Sequence, residues 1–195
     1  METDIKMRER VINAAAKIFS MKGFYKASMD DIALEAGVAK GTLYYYFKNK
    51  SELFKTVVVE GIDFLVEDLR NVVNNSDESI ENIIKSMIKK NIDFYLEYYE
   101  LANIVLNEIT SGIDDDVLNE IKNSKEKYVR FLADLLLDGY NQGIICNSDF
   151  NMIAAGIIGM VNGICKHYLM NANSTDRNNM IEHASNMIIK GLFHK

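Results

Sequence analysis

The chain has 195 residues, 48% of them apolar and 26% charged, a balance that supports a sizeable buried core and excludes a disordered or low-complexity polypeptide. Proline and tryptophan are absent, which favours long uninterrupted helices over a loop-rich sheet protein. The net charge of −6 is unevenly spread: residues 1–55 hold ten Lys+Arg and seven Asp+Glu, residues 56–195 twelve and twenty-one, so a basic head precedes an acidic body and only the head is suited to touch nucleic acid.

In chain order, residues 4–22 read as a first helix with Ile5, Ile12, Ala15, Ala16 and Phe19 on one face, stopped by Gly23. A second starts at Ser28, which caps while Asp31 three residues on reaches back, and stops at Gly37 after Ile32, Ala33 and Ala36. Residues 39–47 form a third, with Leu43 and Phe47 one turn apart and facing inward. Asn49 caps a fourth, with Glu52 three residues later, and Leu53, Phe54, Val57, Val58, Ile62, Leu65 and Leu69 carry its apolar face to about residue 71. After a polar break at 74–76, Ile80, Ile83, Ile84, Met87, Ile88, Phe94 and Tyr95 mark a fifth, and a short helix is expected over 101–110. The segment 117–142 is periodic through Ile121, Tyr128, Phe131, Leu132, Leu135 and Leu136 and ends at Gly143; two last helices follow over 148–170 and 175–192. With about nine helices, no strand alternation and no repeat, the fold class is all-α.

Cys146 and Cys165 stand far apart in no metal-ligand spacing and read as reduced thiols of a cytoplasmic protein. The start of the chain has no secretory signal, and the longest apolar run, 152–161, falls short of the ~20 residues of a membrane span. His167, His183 and His194 share no ligand spacing, and neither a nucleophile elbow nor a phosphate-cradling loop is present. The expectation is therefore no metal, no cofactor, no membrane and no enzymatic activity.

Residues 28–47 have the makings of a helix-turn-helix: Ile32, Ala36, Val38 and Leu43 close a small core, Ala33 allows close helix approach, and Gly37 admits a positive φ at the turn. By this pattern alone an ordinary helical hairpin fits equally well. The wider string SMDDIALEAGVAKGTLYYYFKNKSELF, residues 28–54, closely resembles the TetR family signature: an IA...AGV turn, a small-x-G-T-L-Y-x-aromatic-F helix, then a K-x-x-L-F helix start. The resemblance implies a DNA-binding domain over residues 1–48 and a ligand-sensing and dimerisation domain over 49–195. It also implies that the third helix enters the major groove, with Lys40, Gly41, Thr42, Tyr44 and Tyr45 facing DNA and Tyr46 on a backbone phosphate. Lys50 at the start of helix four and Ser28 at helix two would hold further phosphates. Tyr44, Tyr45 and Tyr46 point in three directions on a helix, so they cannot all be buried core. Asp30 and Asp31 depart from the basic residues that relatives can carry here; one is explained by the helix dipole and the other as a cap.

Beyond residue 54 the resemblance rests on length and helix count. A single recognition helix needs a two-fold partner to read a palindromic double-stranded operator, so a homodimer is expected. Ala155, Gly159 and Gly163 recur every four residues and admit a close helix; the last helix offers Ile181, Ala184 and Ile188, and the family pairs these two helices with their copies. The plainer alternative is that both merely complete the monomer core. A small-molecule effector would sit among Phe64, Phe94, Tyr95, Tyr98, Tyr99, Tyr128, Phe131 and several methionines, each of which taken singly reads more readily as plain core, with Asn91, Asn107 and Glu108 as orienting groups. Helix four is expected to be the only element running from head to body, and its tilt to carry the signal. The resulting reading is a sequence-specific transcriptional regulator, a repressor released by ligand. The alternative is a helix-turn-helix adaptor without an effector.

Overall fold

The computed structural model describes residues 2–75, 78–99, 102, 113–170 and 176–193. They form eight helices: α1 (Glu2–Lys26), α2 (Met29–Ala36), α3 (Lys40–Tyr46), α4 (Lys50–Asn75), α5 (Ile80–Glu97), α6 (Asp115–Asn141), α7 (Phe150–Met170) and α8 (Arg177–Leu192). Among the described residues there is no strand, only an isolated antiparallel bridge between Ile145 and Phe193. The short helix expected at 101–110 falls, apart from residue 102, outside the described residues, as do Asn107 and Glu108.

The helix ends follow local chemistry. Gly23, Gly37 and Gly143 all take positive φ. Gly37 and Gly143 follow the ends of α2 and α6, whereas Gly23, expected to stop the first helix, instead kinks α1 at φ 71° and ψ 166°, and the helix resumes to Lys26 with Phe24 buried. Ser28 and Asp31 make the reciprocal cap of α2, and Asn49 Oδ1 accepts the Glu52 amide at 2.8 Å as α4 begins. The face that α1 buries is turned from the expected one: Val11, Ala14, Ala15, Ile18 and Phe19 are inside, whereas Ile5 is 58% exposed and Ile12 and Ala16 are only half-buried. The shift has a packing cause. Val11, Ala14 and Ile18 join α2, α3 and α4 in one apolar cluster, and Ile5 lies a turn beyond it.

The chain divides into two compact units. The first comprises residues 1–63 and 97–124. Its core gathers Phe19 and Phe24 of α1, Ile32 of α2, Leu43 of α3, Phe54 and Val57 of α4, Ile113 just before α6, and Val117 and Ile121 in its first turns. Phe54 sits edge-on to Phe19 at 5.3 Å and to Phe24 at 4.9 Å, contacts that add about 0.5–1.5 kcal/mol each beyond area burial. Arg8 pairs with Glu60 at 2.5 Å and Lys55 with Glu120 at 3.1 Å, tying α4 to α1 and to α6.

The second unit comprises residues 64–96 and 125–195. Here α5 buries Ile80, Ile83, Ile84, Met87, Ile88, Ile92 and Tyr95 at helical spacing, together with Leu132 and Leu136 of α6 and Ala184 and Ile188 of α8. A Cβ on Gly139 would meet Ile145 Cδ1 at 2.7 Å and Ile80 Cδ1 at 3.3 Å, so glycine there lets the segment after α6 lie against the helix. The helix α6 begins in the first unit and ends in the second, so α4 is not alone in belonging to both.

Candidate nucleic-acid interface

The α2–turn–α3 segment is fixed from below. Gly37 at φ 63° and ψ 40° turns the chain, its amide donates to Leu34 O at 3.1 Å, and the Val38 amide donates to Ala33 O at 3.0 Å. Arg10 reaches from α1 and donates to Ala36 O at 2.6 Å, satisfying a carbonyl at the end of α2. Ile32 and Leu43 are fully buried and Phe47 nearly so. With Leu43 and Phe47 locked inward, α3 turns its opposite face to solvent. Lys40, Gly41, Tyr44 and Tyr45 are exposed, Thr42 is half-buried, and nothing lies within 4 Å of a Cβ placed on Gly41. Tyr45 is 78% exposed, the largest exposure of the three consecutive tyrosines.

Three of the residues expected on phosphates already have partners inside the chain. Lys50 turns inward: its Nζ donates to Phe24 O at 2.7 Å and Ala27 O at 3.0 Å and stands 4.5 Å from the Phe24 ring centroid. Burial holds its pKa below the usual lysine range. Its ammonium therefore closes the carbonyl end of α1. The Tyr46 hydroxyl donates to the Asp4 carboxylate, which, with burial, pushes its pKa up to about 12. The Ser28 Oγ accepts the Asp31 amide at 3.1 Å and donates to the Asp31 carboxylate at 2.8 Å.

Each acidic side chain of α2 also holds a lysine: Asp30 pairs with Lys40 at 2.7 Å, Asp31 with Lys22 at 2.9 Å and Glu35 with Lys17 at 2.5 Å. Lys22, then Ser28, hold the Asp31 carboxyl below its ordinary 3.8, and Asp30 raises the pKa of Lys40. Sequence reading assigned Asp30 to the helix dipole and missed its pairing with Lys40, because the two are ten residues apart and meet only through the turn.

The residues expected around an effector are divided between the units. Tyr98 packs on the core of the first. In the second, Tyr95 is buried, and so is Tyr128, whose Oη accepts from Asn91 Nδ2. Phe94 is half-buried, and Phe131 is half-buried 5.6 Å beneath the Arg70 guanidinium. Phe64 is 73% exposed, so α4 presents it outward and buries its neighbour Leu65.

Of the residues expected at a dimer interface, Ala155, Gly159 and Gly163 are exposed on α7, and no atom stands within 4 Å of a Cβ on Gly156, Gly159 or Gly163. On α8 the phase differs. Ala184 and Ile188 are buried in the chain's own core, Ile181 is half-buried, and His183 and Met187 point outward, Met187 62% exposed. By length and composition α7 could cross a membrane, and Met152 and Leu169 add to its uncovered apolar surface.

Two family models match the chain: "Bacterial regulatory proteins, tetR family" over residues 11–57, and "Tetracyclin repressor-like, C-terminal domain" over residues 77–192, the second alone more than half of its length. The chain belongs to the TetR family. It is a DNA-binding transcriptional regulator. Among curated relatives of this TetR protein is the HTH-type transcriptional activator FasR of Mycolicibacterium smegmatis, 25% identical over 187 residues, which are 96% of this chain and 83% of the relative. Among solved structures, the transcriptional regulator FadR from Bacillus subtilis in complex with stearoyl-CoA superposes with a TM-score of 0.80 at 21% identity, covering 94% of this chain and 98% of the other. AibR in complex with isovaleryl coenzyme A and operator DNA gives 0.74 at 22% identity, covering 95% and 99%.

Proposed function

We propose that this TetR protein is a homodimeric, cytoplasmic repressor, without catalytic activity, that occupies a palindromic operator through α3 of each copy and is released by an acyl-coenzyme A thioester. In this reading residues 1–48 take the DNA and residues 49–195 sense and dimerise. The observation that carries it is the outer face of α3, where Lys40, Gly41, Tyr44 and Tyr45 are exposed, with Thr42 half-buried beside them, on a helix anchored by Leu43 and Phe47. These side chains offer donors and acceptors for base edges and phosphates, and the bare backbone at Gly41 permits close approach. The open glycine face of α7, flanked by Met152, gives a second copy a surface to cover, and on α8 the outward His183 and Met187 replace Ala184 and Ile188 at that contact. Two operator-bound α3 helices would then stand roughly 34–36 Å apart, or a multiple of that.

The effector class is drawn from the relatives, two of which are solved with acyl-CoA molecules of very different chain length. Phe94, Tyr95, Phe131 and the Asn91–Tyr128 couple are the side chains we assign to it in the second unit. The experiment is release of a labelled operator duplex, itself selected by the protein from a random-sequence pool, on titration with coenzyme A, isovaleryl-CoA and stearoyl-CoA. Acyl thioesters should release the duplex and free coenzyme A should not. Retention of the duplex against all three overturns the effector assignment and leaves the adaptor reading. FasR is named as an activator, which favours activation as a second reading; the sign of the change in transcription from the bound promoter decides between the two.

A further inference from the structure

We propose that Asp30 is a selectivity residue, which holds Lys40 away from sequence-independent phosphate contacts and gives it up only where base edges take both side chains. The inference rests on α3 being the DNA-reading helix. Asp30 lies in the first turn of α2 and Lys40 opens α3, so their 2.7 Å pair bridges the two helices of the motif at the end of α3 whose residues meet base edges. Both side chains are open to solvent, 67% and 60% exposed, so a passing duplex meets the carboxylate together with the ammonium.

The chemistry of the two DNA surfaces then separates. An ionised carboxylate only accepts hydrogen bonds, and phosphate oxygens also only accept. On the backbone Asp30 therefore finds no donor and repels the anion, while Lys40 is already neutralised. Base edges in the major groove present donors and acceptors side by side: amino groups of cytosine and adenine for the carboxylate, and guanine O6 and N7 for the ammonium. A joined donor and acceptor is matched there and mismatched on phosphate. Ion pairs between exposed groups are weak, so the exchange from Asp30 to a base edge meets no large barrier. The other acidic residues of α2 face their lysines elsewhere: Asp31 is engaged by Ser28 and Lys22 and Glu35 by Lys17.

The test measures binding of the intact protein to a duplex selected by wild type from a random-sequence pool, and to a scrambled duplex of the same composition, across salt. Asp30→Asn should tighten binding to the scrambled duplex, steepen its salt dependence by about one counterion, roughly threefold between 50 and 200 mM, and lower the ratio of selected to scrambled affinity. Glu35→Gln removes the same charge from the same helix and should leave that ratio near wild type. Asp30→Asn made in a Lys40→Ala background should gain clearly less on scrambled DNA than in the wild-type background, since only the relief of direct repulsion remains once Lys40 is gone. An equal gain with and without Lys40, or an unchanged ratio, overturns the inference while leaving α3 as the reader. If Lys40→Ala and Tyr44→Ala leave affinity for the selected duplex unchanged, the reading of α3 falls and the inference with it.

Discussion

Replacing Lys50 by alanine separates two roles for one ammonium group. If Lys50 held a phosphate, the variant would keep its stability and lose about one counterion from the salt dependence of DNA binding. In the structure the ammonium instead donates to Phe24 O and Ala27 O and covers the Phe24 ring. A hydrogen bond from a charged donor is worth about 1.5–3 kcal/mol when buried and a cation–π contact about 0.5–1 kcal/mol at an open site. Lys50 is only partly covered, so solvent screening reduces the total to about 1–2 kcal/mol. For a chain of this length, each kcal/mol moves the melting temperature by roughly 2–4 °C. Lys50→Ala should therefore melt about 2–8 °C lower, with Lys50→Gln, which keeps a donor, in between. The salt slope of operator binding, measured at a temperature where both proteins are folded, should stay at the wild-type value. An unchanged melting temperature together with a slope reduced by one would refute the structural role.

Two other outcomes follow from the same geometry. Gly159→Leu adds a side chain into open space on α7 and replaces a poor helix former, so the monomer should keep its helical content while sedimentation shows loss of the dimer and operator affinity falls; a stable dimer would move the interface elsewhere. The Asp31 carboxyl is held below its unfolded value by Lys22 and Ser28, so its contribution to stability is present above about pH 3.8 and is lost as pH falls through the lowered folded value. Acid titration of the melting temperature should be shallower in Asp31→Asn than in wild type over that window, and parallel curves would count against the pairing.

How much of this molecule is legible in its sequence depends on the range of the forces involved. Helix starts and stops are settled within a few residues: Ser28 with Asp31, Asn49 with Glu52, and the positive-φ glycines 37 and 143 can be read directly, because each device closes a hydrogen bond or relieves a steric clash inside its own turn, while Gly23 reads as a stop and is a kink within α1. The inward set of the reading motif, Ile32, Ala36, Leu43 and Phe47, is legible for the same reason. Its outward face follows by elimination.

Phase and partnership are a different matter. Both α1 and α8 carry apolar residues around more than one face, so Val11 rather than Ile5 goes inside, and Ile188 rather than its neighbour Met187, through contacts with helices distant in sequence. Phe64 and Leu65 are adjacent and equally apolar, yet one is exposed and the other buried. Long polar side chains are freer still. Lys50 could reach a phosphate or the carbonyls of α1, and Asp30 could answer a helix dipole or a lysine ten residues on; flexible stems reach several partners at similar cost. Composition and local spacing set the helices, their ends and the reading helix. Only the packing of α1 against α4 and of α2 against α3 decided where each charge found its partner, because those partners become neighbours only after the chain has folded.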